Sequence, residues 1–176
     1  MDMTGNRLGA LALVLTDRTG DALKDAAGLS ETGAAALSAL HQFLEVPSID
    51  LLRQVLGLTS SGTVRLVDRL EAAGYVRRGR GSDGRSTVVS LTPAGRRAAR
   101  RVAAARAAVL DGALVALSPA EREALDALVS KLLVGLMRGP GAVRWMCRLC
   151  DLHACGRDAG HCPVANAARA AHSEGG

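Results

Sequence analysis

Residues 70–95 carry the feature that most constrains the fold of this chain. The runs 75–78 and 86–91 favour β-strands, and the segment between them is rich in glycine. Its Asp83-Gly84 step is a strong signal for a tight hairpin turn. Helical patterns precede and follow this segment. The sequence therefore predicts a short antiparallel hairpin between two helices.

Positive charge is concentrated on and around the predicted hairpin. Residues 65–106 hold 11 arginines but only 3 carboxylates, in a chain whose net charge is +5. Exposed guanidinium groups repel one another, so an anionic partner is the simplest explanation. The chain has one Phe, one Tyr and one Trp, too few for a platform on which single-stranded nucleic acid stacks. Double-stranded DNA is the expected partner.

Short helices precede the hairpin. Ser30 and Ser48 are expected N-caps, and Gly57 separates a short helix from a second one over residues 59–73. This arrangement is typical of a helix-turn-helix motif, whose second helix enters the major groove of DNA. We expect DNA contacts from the polar face of that helix and from the hairpin arginines: Ser60, Ser61, Thr63, Arg65, Arg69, Arg77, Arg78, Arg80 and Arg85.

Long helices are predicted outside this DNA-reading unit. The first covers residues 6–27, another runs from Pro93 to about residue 117, and a capping box at Ser118 and Glu121 opens the last. The last helix has a broad apolar stripe that needs a partner. A second copy of the chain is the natural partner, and a two-fold dimer would read a palindromic operator.

The hairpin and the helix before it resemble a known family. Residues 83–95, DGRSTVVSLTPAG, match the wing signature D-x-R-S-x-x-V-x-L-T-x-x-G at every fixed place, and residues 63–71 followed by Gly74 are similar to a recognition helix. Over residues 8–138 the chain resembles the MarR (multiple antibiotic resistance regulator) winged-helix repressors. The resemblance implies an obligate dimer with recognition helices in successive major grooves, Arg85 in the minor groove, and Asp83 holding a neighbouring arginine.

The expected fold class is mainly α with a small β-wing. Residues 1–28 form an N-terminal dimerisation helix and residues 29–95 a winged helix-turn-helix unit. Residues 96–138 form further dimerisation helices, and residues 139–176 a cysteine-rich extension that the resemblance does not cover. No run approaches the roughly 18 apolar residues of a membrane span, and no signal peptide is recognisable at the N-terminus. The expected location is the cytoplasm, without a membrane partner.

All four cysteines lie within the extension, spaced C-x2-C-x4-C-x6-C: Cys147, Cys150, Cys155 and Cys162. In a reducing compartment such a cluster favours ligation of one metal centre per subunit over disulfides. Four thiolates suit tetrahedral zinc, which is the favoured metal, and His153 or His161 could replace one sulfur. A [4Fe-4S] or [2Fe-2S] cluster is the alternative, since Pro163 follows the last cysteine as in ferredoxin-type segments. A metal-free thiol switch at Cys147 and Cys150 is the third option.

An enzyme is not predicted, because the sequence has no nucleophile elbow, no phosphate-cradling loop and no βαβ scaffold. The expected function is a sequence-specific, homodimeric transcription regulator of the repressor type, with a cysteine centre that is structural or senses metal or redox state. A redox-sensing regulator and an anti-sigma-like protein-interaction module with zinc are the alternatives. Family members that bind phenolic ligands use larger side chains than the Ala, Leu and Val found here, so the sequence indicates no particular small-molecule effector.

Overall fold

The computed structural model describes residues 2–82, 84–138 and 142–173. The described residues are mainly helical and contain one two-stranded antiparallel sheet, as predicted. In chain order the elements are α1 (Met3–Ala27), α2 (Glu31–Gln42), α3 (Ile49–Leu56), α4 (Ser60–Ala72), β1 (Val76–Arg80), β2 (Thr87–Leu91), α5 (Pro93–Leu114), α6 (Pro119–Gly135), α7 (Ala142–Met146) and α8 (Pro163–Ser173).

Helix ends follow local signals that the sequence predicts. Ser30, Ser48 and Ser118 are N-caps, and each hydroxyl accepts a hydrogen bond from a backbone N–H in the first turn of its helix. Gly28 and Gly57 end α1 and α3 with φ values of 65°, a left-handed conformation that favours glycine. The turn between α3 and α4 is therefore fixed by the chemistry of its own residues.

The hairpin is attached to the helices on one side. Its register runs from the pair Val76 and Leu91 to the pair Arg80 and Thr87. The Val89 N–H donates a hydrogen bond of 3.0 Å to the Pro47 carbonyl in the loop between α2 and α3. This attachment gives the wing a defined position beside the helix-turn-helix motif.

The main core lies among α2, α3, α4 and the hairpin. Every residue from Gly33 to Leu40 in α2 is buried, so this helix passes through the centre of the protomer. The predicted inward face of α4 is confirmed, since Leu66, Val67 and Leu70 are buried. Helix α5 packs against α1 and α2 and joins the DNA-reading unit to the long helices.

Gly95 is the closest backbone contact at the junction of hairpin and α5. A Cβ atom at this position would lie 1.9 Å from the Tyr75 carbonyl oxygen. The same carbonyl accepts a hydrogen bond of 3.0 Å from the Thr92 N–H. Only glycine allows this contact between α5 and the residue before β1, which explains the last fixed place of the wing signature.

Some predicted boundaries were wrong. Helix α1 begins at Met3 rather than at residue 6, since the Asp2 side chain caps it, and α5 ends at Leu114 rather than near residue 117. The sequence did not predict α7 and α8 in the extension. The predicted break at Gly139, Pro140 and Gly141 lies outside the described residues.

Helix α6 begins at the predicted capping box, but none of its residues is buried within the protomer. Its exposed apolar side chains include Leu128, Val129, Leu132 and Leu133. Within the described chain, only α5 and α6 taken together, bent by 115°, have the length and apolar character of a membrane span; no single helix has them.

Candidate functional site

The outward face of α4 presents short polar and basic side chains. Ser60, Ser61, Arg65 and Arg69 are exposed, as predicted for a helix that enters a DNA groove. The Thr59 hydroxyl caps the helix by accepting a hydrogen bond of 3.1 Å from the Gly62 N–H. The first turn of α4 therefore combines a rigid start with small side chains, which permits close approach to base edges.

Thr63 is the exception on this helix. Its side chain is 0% exposed, and its hydroxyl donates a hydrogen bond of 3.0 Å to the Thr59 carbonyl. The prediction that Thr63 lies on the outward face is wrong. Its spacing in the helix places it on the same face as the buried Leu66, Val67 and Leu70. Thr63 stabilises the start of α4 and is not accessible to DNA.

The start of α2 is a part of this surface that the sequence did not predict. Ser30 and Thr32 line a groove of about 300 Å³ together with Arg65 and Arg69 of α4. A helix N-terminus carries partial positive charge and suits a phosphate. Ser30 was recognised only as a cap, although N-cap serines and threonines are also common phosphate contacts.

The hairpin exposes three of its four predicted arginines, Arg77, Arg80 and Arg85. The Arg77 Nε–H donates a hydrogen bond of 3.2 Å to the Ser90 hydroxyl across the two strands. The tip is tightened by a hydrogen bond of 2.8 Å from the Gly81 N–H to the Ser86 carbonyl. Asp83, the predicted partner of a neighbouring arginine, lies outside the described residues.

Arg78 is held by the recognition helix instead of extending from the wing. Its guanidinium forms ion pairs with Asp68, at 2.5 Å, and with Glu71. The Arg78 backbone N–H and guanidinium both bond to Glu71 and hold the pKa of that carboxyl below its usual range. Arg78 therefore connects β1 to α4, and its contact with DNA stays a prediction.

The four cysteines line one cavity of about 520 Å³ beside α6. His153 and His161 also line this cavity, and its opposite wall is formed by Asp126, Val129, Ser130 and Leu133. All four cysteines are free thiols. The predicted cluster is thus brought together on one face of the extension, although none of its members is close in sequence to α6.

Hydrogen bonding and burial shift the pKa values of three of these thiols. Cys147 bonds to Cys150, which lowers the pKa of the Cys150 thiol, while this bond and burial raise the pKa of Cys147. Burial also raises the pKa of Cys155, whose thiol donates a hydrogen bond of 3.5 Å to the Leu152 carbonyl. Among the described residues, no three His, Cys, Asp or Glu side chains are placed to hold a metal ion as they stand. The donor chemistry fits thiophilic metals, since four sulfurs line one cavity.

Comparisons with known proteins agree with this geometry. The family model for the MarR family matches residues 27–86, the segment that contains α2 to β1 and the hairpin turn. No curated protein matches the chain. Many solved structures do.

One similar structure is a MarR-family transcriptional regulator from Silicibacter pomeroyi, 30% identical, with a TM-score of 0.54, covering 72% of this chain and 87% of that one. Another is a probable transcriptional regulator from Pseudomonas aeruginosa, 29% identical, with a TM-score of 0.56, covering 71% and 96%. A Staphylococcus aureus MepR variant bound to an oligodeoxyribonucleotide is 16% identical, with a TM-score of 0.57, covering 77% and 99%. The matches leave about a quarter of this chain uncovered.

Proposed function

This chain belongs to the MarR family of DNA-binding transcription regulators, and we propose that it is a homodimeric repressor that binds a palindromic operator. Family members are regulators and not enzymes. The observation that carries the proposal is the exposed polar and basic face of α4 beside the exposed wing arginines. In this proposal α4 reads bases in the major groove, with Ser60, Ser61 and Arg65 at the edges and Arg69 at the phosphates.

The wing supplies the second set of DNA contacts. Arg80 and Arg85 lie on or beside the hairpin tip, where they reach the backbone or the narrow minor groove next to the site read by α4. Ser30 and Thr32 face the same groove as Arg65 and Arg69, so we assign them phosphate contacts. In this proposal Arg78 positions the wing, because both its ion pairs hold the hairpin to α4.

A second copy of the chain covers the apolar long helices. The whole of α6 lacks a buried residue in the protomer, and α1 also exposes Leu8, Leu11 and Val14. Contiguous exposed apolar surface of this kind marks an interaction site. A two-fold axis through these helices would place two copies of α4 on successive major grooves of a palindrome.

The extension holds one metal centre per protomer, with zinc as the favoured metal. Four thiols line one cavity, and the compartment expected for a regulator of this family keeps thiols reduced. A zinc ion bound by the four thiolates would cross-link the segments that carry them, and it would supply no redox chemistry. Cys147, Cys150, Cys155 and Cys162 would be its ligands.

Arg85→Ala tests the role of the wing. We expect DNA binding to weaken by about 1 to 3 kcal/mol, with a shallower dependence of affinity on salt, because one groove or phosphate contact is lost. Fluorescence anisotropy with a labelled operator at several salt concentrations measures both. Arg169→Ala removes the same charge from α8 and is the matched control. Equal affinities for Arg85→Ala and the control would show that Arg85 does not contact DNA.

A further inference from the structure

The cysteine-rich extension contacts two parts of the protomer that the rest of the fold keeps apart. On one side, α8 packs against α6, and the cysteine cavity is closed by α6 side chains such as Val129 and Leu133. On the other side, α7 packs against α3 of the helix-turn-helix motif. Within the described residues, the extension therefore provides a packed route from α6 to the helix-turn-helix motif.

Trp145 makes the contact with the DNA-reading unit at its turn. The indole Nε1 lies 3.4 Å from the position that a Cβ atom of Gly57 would occupy. Gly57 has a left-handed φ of 65° and joins α3 to α4. The Arg148 guanidinium lies over the indole ring, 4.5 Å from its centre. A residue between Cys147 and Cys150 therefore helps to hold the indole in place. Trp145 therefore rests on the residue that sets the angle of the recognition helix.

Leu149 makes the second contact from between Cys147 and Cys150. It packs against the main core of α2, α3 and α4 and also against the smaller core formed by Leu23, Ala34 and Val102. Three residues further on, the Leu152 N–H donates a hydrogen bond of 3.3 Å to the Gln42 side-chain oxygen at the end of α2. The loop that carries the first two cysteines is thus inserted into the DNA-reading unit.

We infer that residues 142–165 form a strut between α6 and the helix-turn-helix turn, through which the state of the four cysteines controls DNA affinity. The inference rests on the proposed DNA binding by α4, but it holds whatever the cysteines bind. An ordered cysteine loop keeps Leu149 and Trp145 in place and so fixes Gly57 and α4 in the position that fits DNA. When the loop is loosened, α4 must be ordered as DNA binds. The conformational entropy lost in that step weakens the affinity for DNA.

A double-mutant cycle tests the strut. In the otherwise wild-type chain, Cys150→Ser is expected to weaken operator binding about fivefold or more, the lower end of usual allosteric coupling. In a Leu149→Ala background the same substitution is expected to change affinity less than about twofold, since the loop then lacks the side chain that packs against both cores. Leu152→Ala is the matched control: it shortens a leucine of the same loop that has no contact with either core, and it should preserve the fivefold effect.

Trp145→Ala gives a second cycle in case Leu149→Ala fails to fold, because the indole is 49% exposed and its loss disturbs no core. As the only tryptophan, Trp145 also reports directly: its emission should shift when operator DNA is added to the full-length protein. An unchanged Cys150→Ser effect in both backgrounds, or no effect of Cys150→Ser in the wild type, would overturn the inference. Failure of the proposed function is a different result, in which Arg65→Ala leaves operator binding unchanged. Zinc content is measured separately and tests only the proposed metal centre.

Discussion

Gly95→Ala is expected to lower the free energy of unfolding by about 3 kcal/mol, because overpacking and a lost hydrogen bond act together at one place. The added Cβ atom would lie 1.9 Å from the Tyr75 carbonyl oxygen, a backbone atom that cannot rotate away. Either β1 or the start of α5 must shift, and the bond from the Thr92 N–H to the same carbonyl is lost. The wing would then lose its fixed position relative to α4.

Chemical denaturation monitored by circular dichroism measures this effect. Gly112→Ala is the matched control, since it lies in the same helix and its Cβ atom would meet nothing within 4 Å. We expect Gly112→Ala to be neutral or to stabilise by up to about 1 kcal/mol, the usual gain of alanine over glycine in a helix. Similar unfolding midpoints for the two variants would show that the contact between hairpin and α5 is not as close as described.

Cys150→Ser is expected to reduce bound zinc from one ion per protomer to none and to lower the thermal stability of the extension. Four thiolates form a closed tetrahedral site, and a site with three sulfurs and a hydroxyl binds zinc far more weakly. Because α7 and α8 are short, bound metal is expected to be a main source of order in this region.

Elemental analysis of freshly purified protein and thermal unfolding with and without a chelator measure both effects. Ser130→Ala changes the α6 wall of the same cavity without removing a sulfur, and it should retain full zinc. Stoichiometric iron and a brown colour would show that the cysteines hold an iron–sulfur cluster and not zinc. Protein that carries no metal after anaerobic purification, and whose four thiols react as independent groups, would contradict a metal centre of either kind.

Much of the DNA-reading unit follows from local chemistry. Ser48 and Gly57 fix the ends of α3 through their own side-chain oxygen and backbone freedom, so the sequence predicts the helix-turn-helix arrangement without knowledge of the rest. The Asp83-Gly84 step and the two β-prone runs predict the hairpin in the same way. These features depend on neighbours within four residues, which is the range that a sequence pattern describes.

Tertiary contacts account for what the sequence did not predict. In the sequence nothing distinguishes Arg78 from the other wing arginines. Its ion pairs with Asp68 and Glu71 form only when the hairpin packs against α4. Thr63 is polar, but it shares the buried face of α4 with Leu66, Val67 and Leu70. The extension has no apolar period, so nothing in its pattern indicated that Leu149 would enter the core and that Trp145 would rest on Gly57.

Selection of bound sequences from a random pool of DNA duplexes tests the central proposal most directly, that this chain reads a palindromic operator through α4. The wild-type protein is expected to enrich an inverted repeat whose half-sites are about one helical turn apart, as two-fold symmetry requires. Arg65→Ala should enrich a different half-site, whereas Arg97→Ala on α5 should enrich the same repeat with lower affinity for all sequences. Enrichment of no common sequence by the wild type, or of the same repeat by Arg65→Ala, would contradict it.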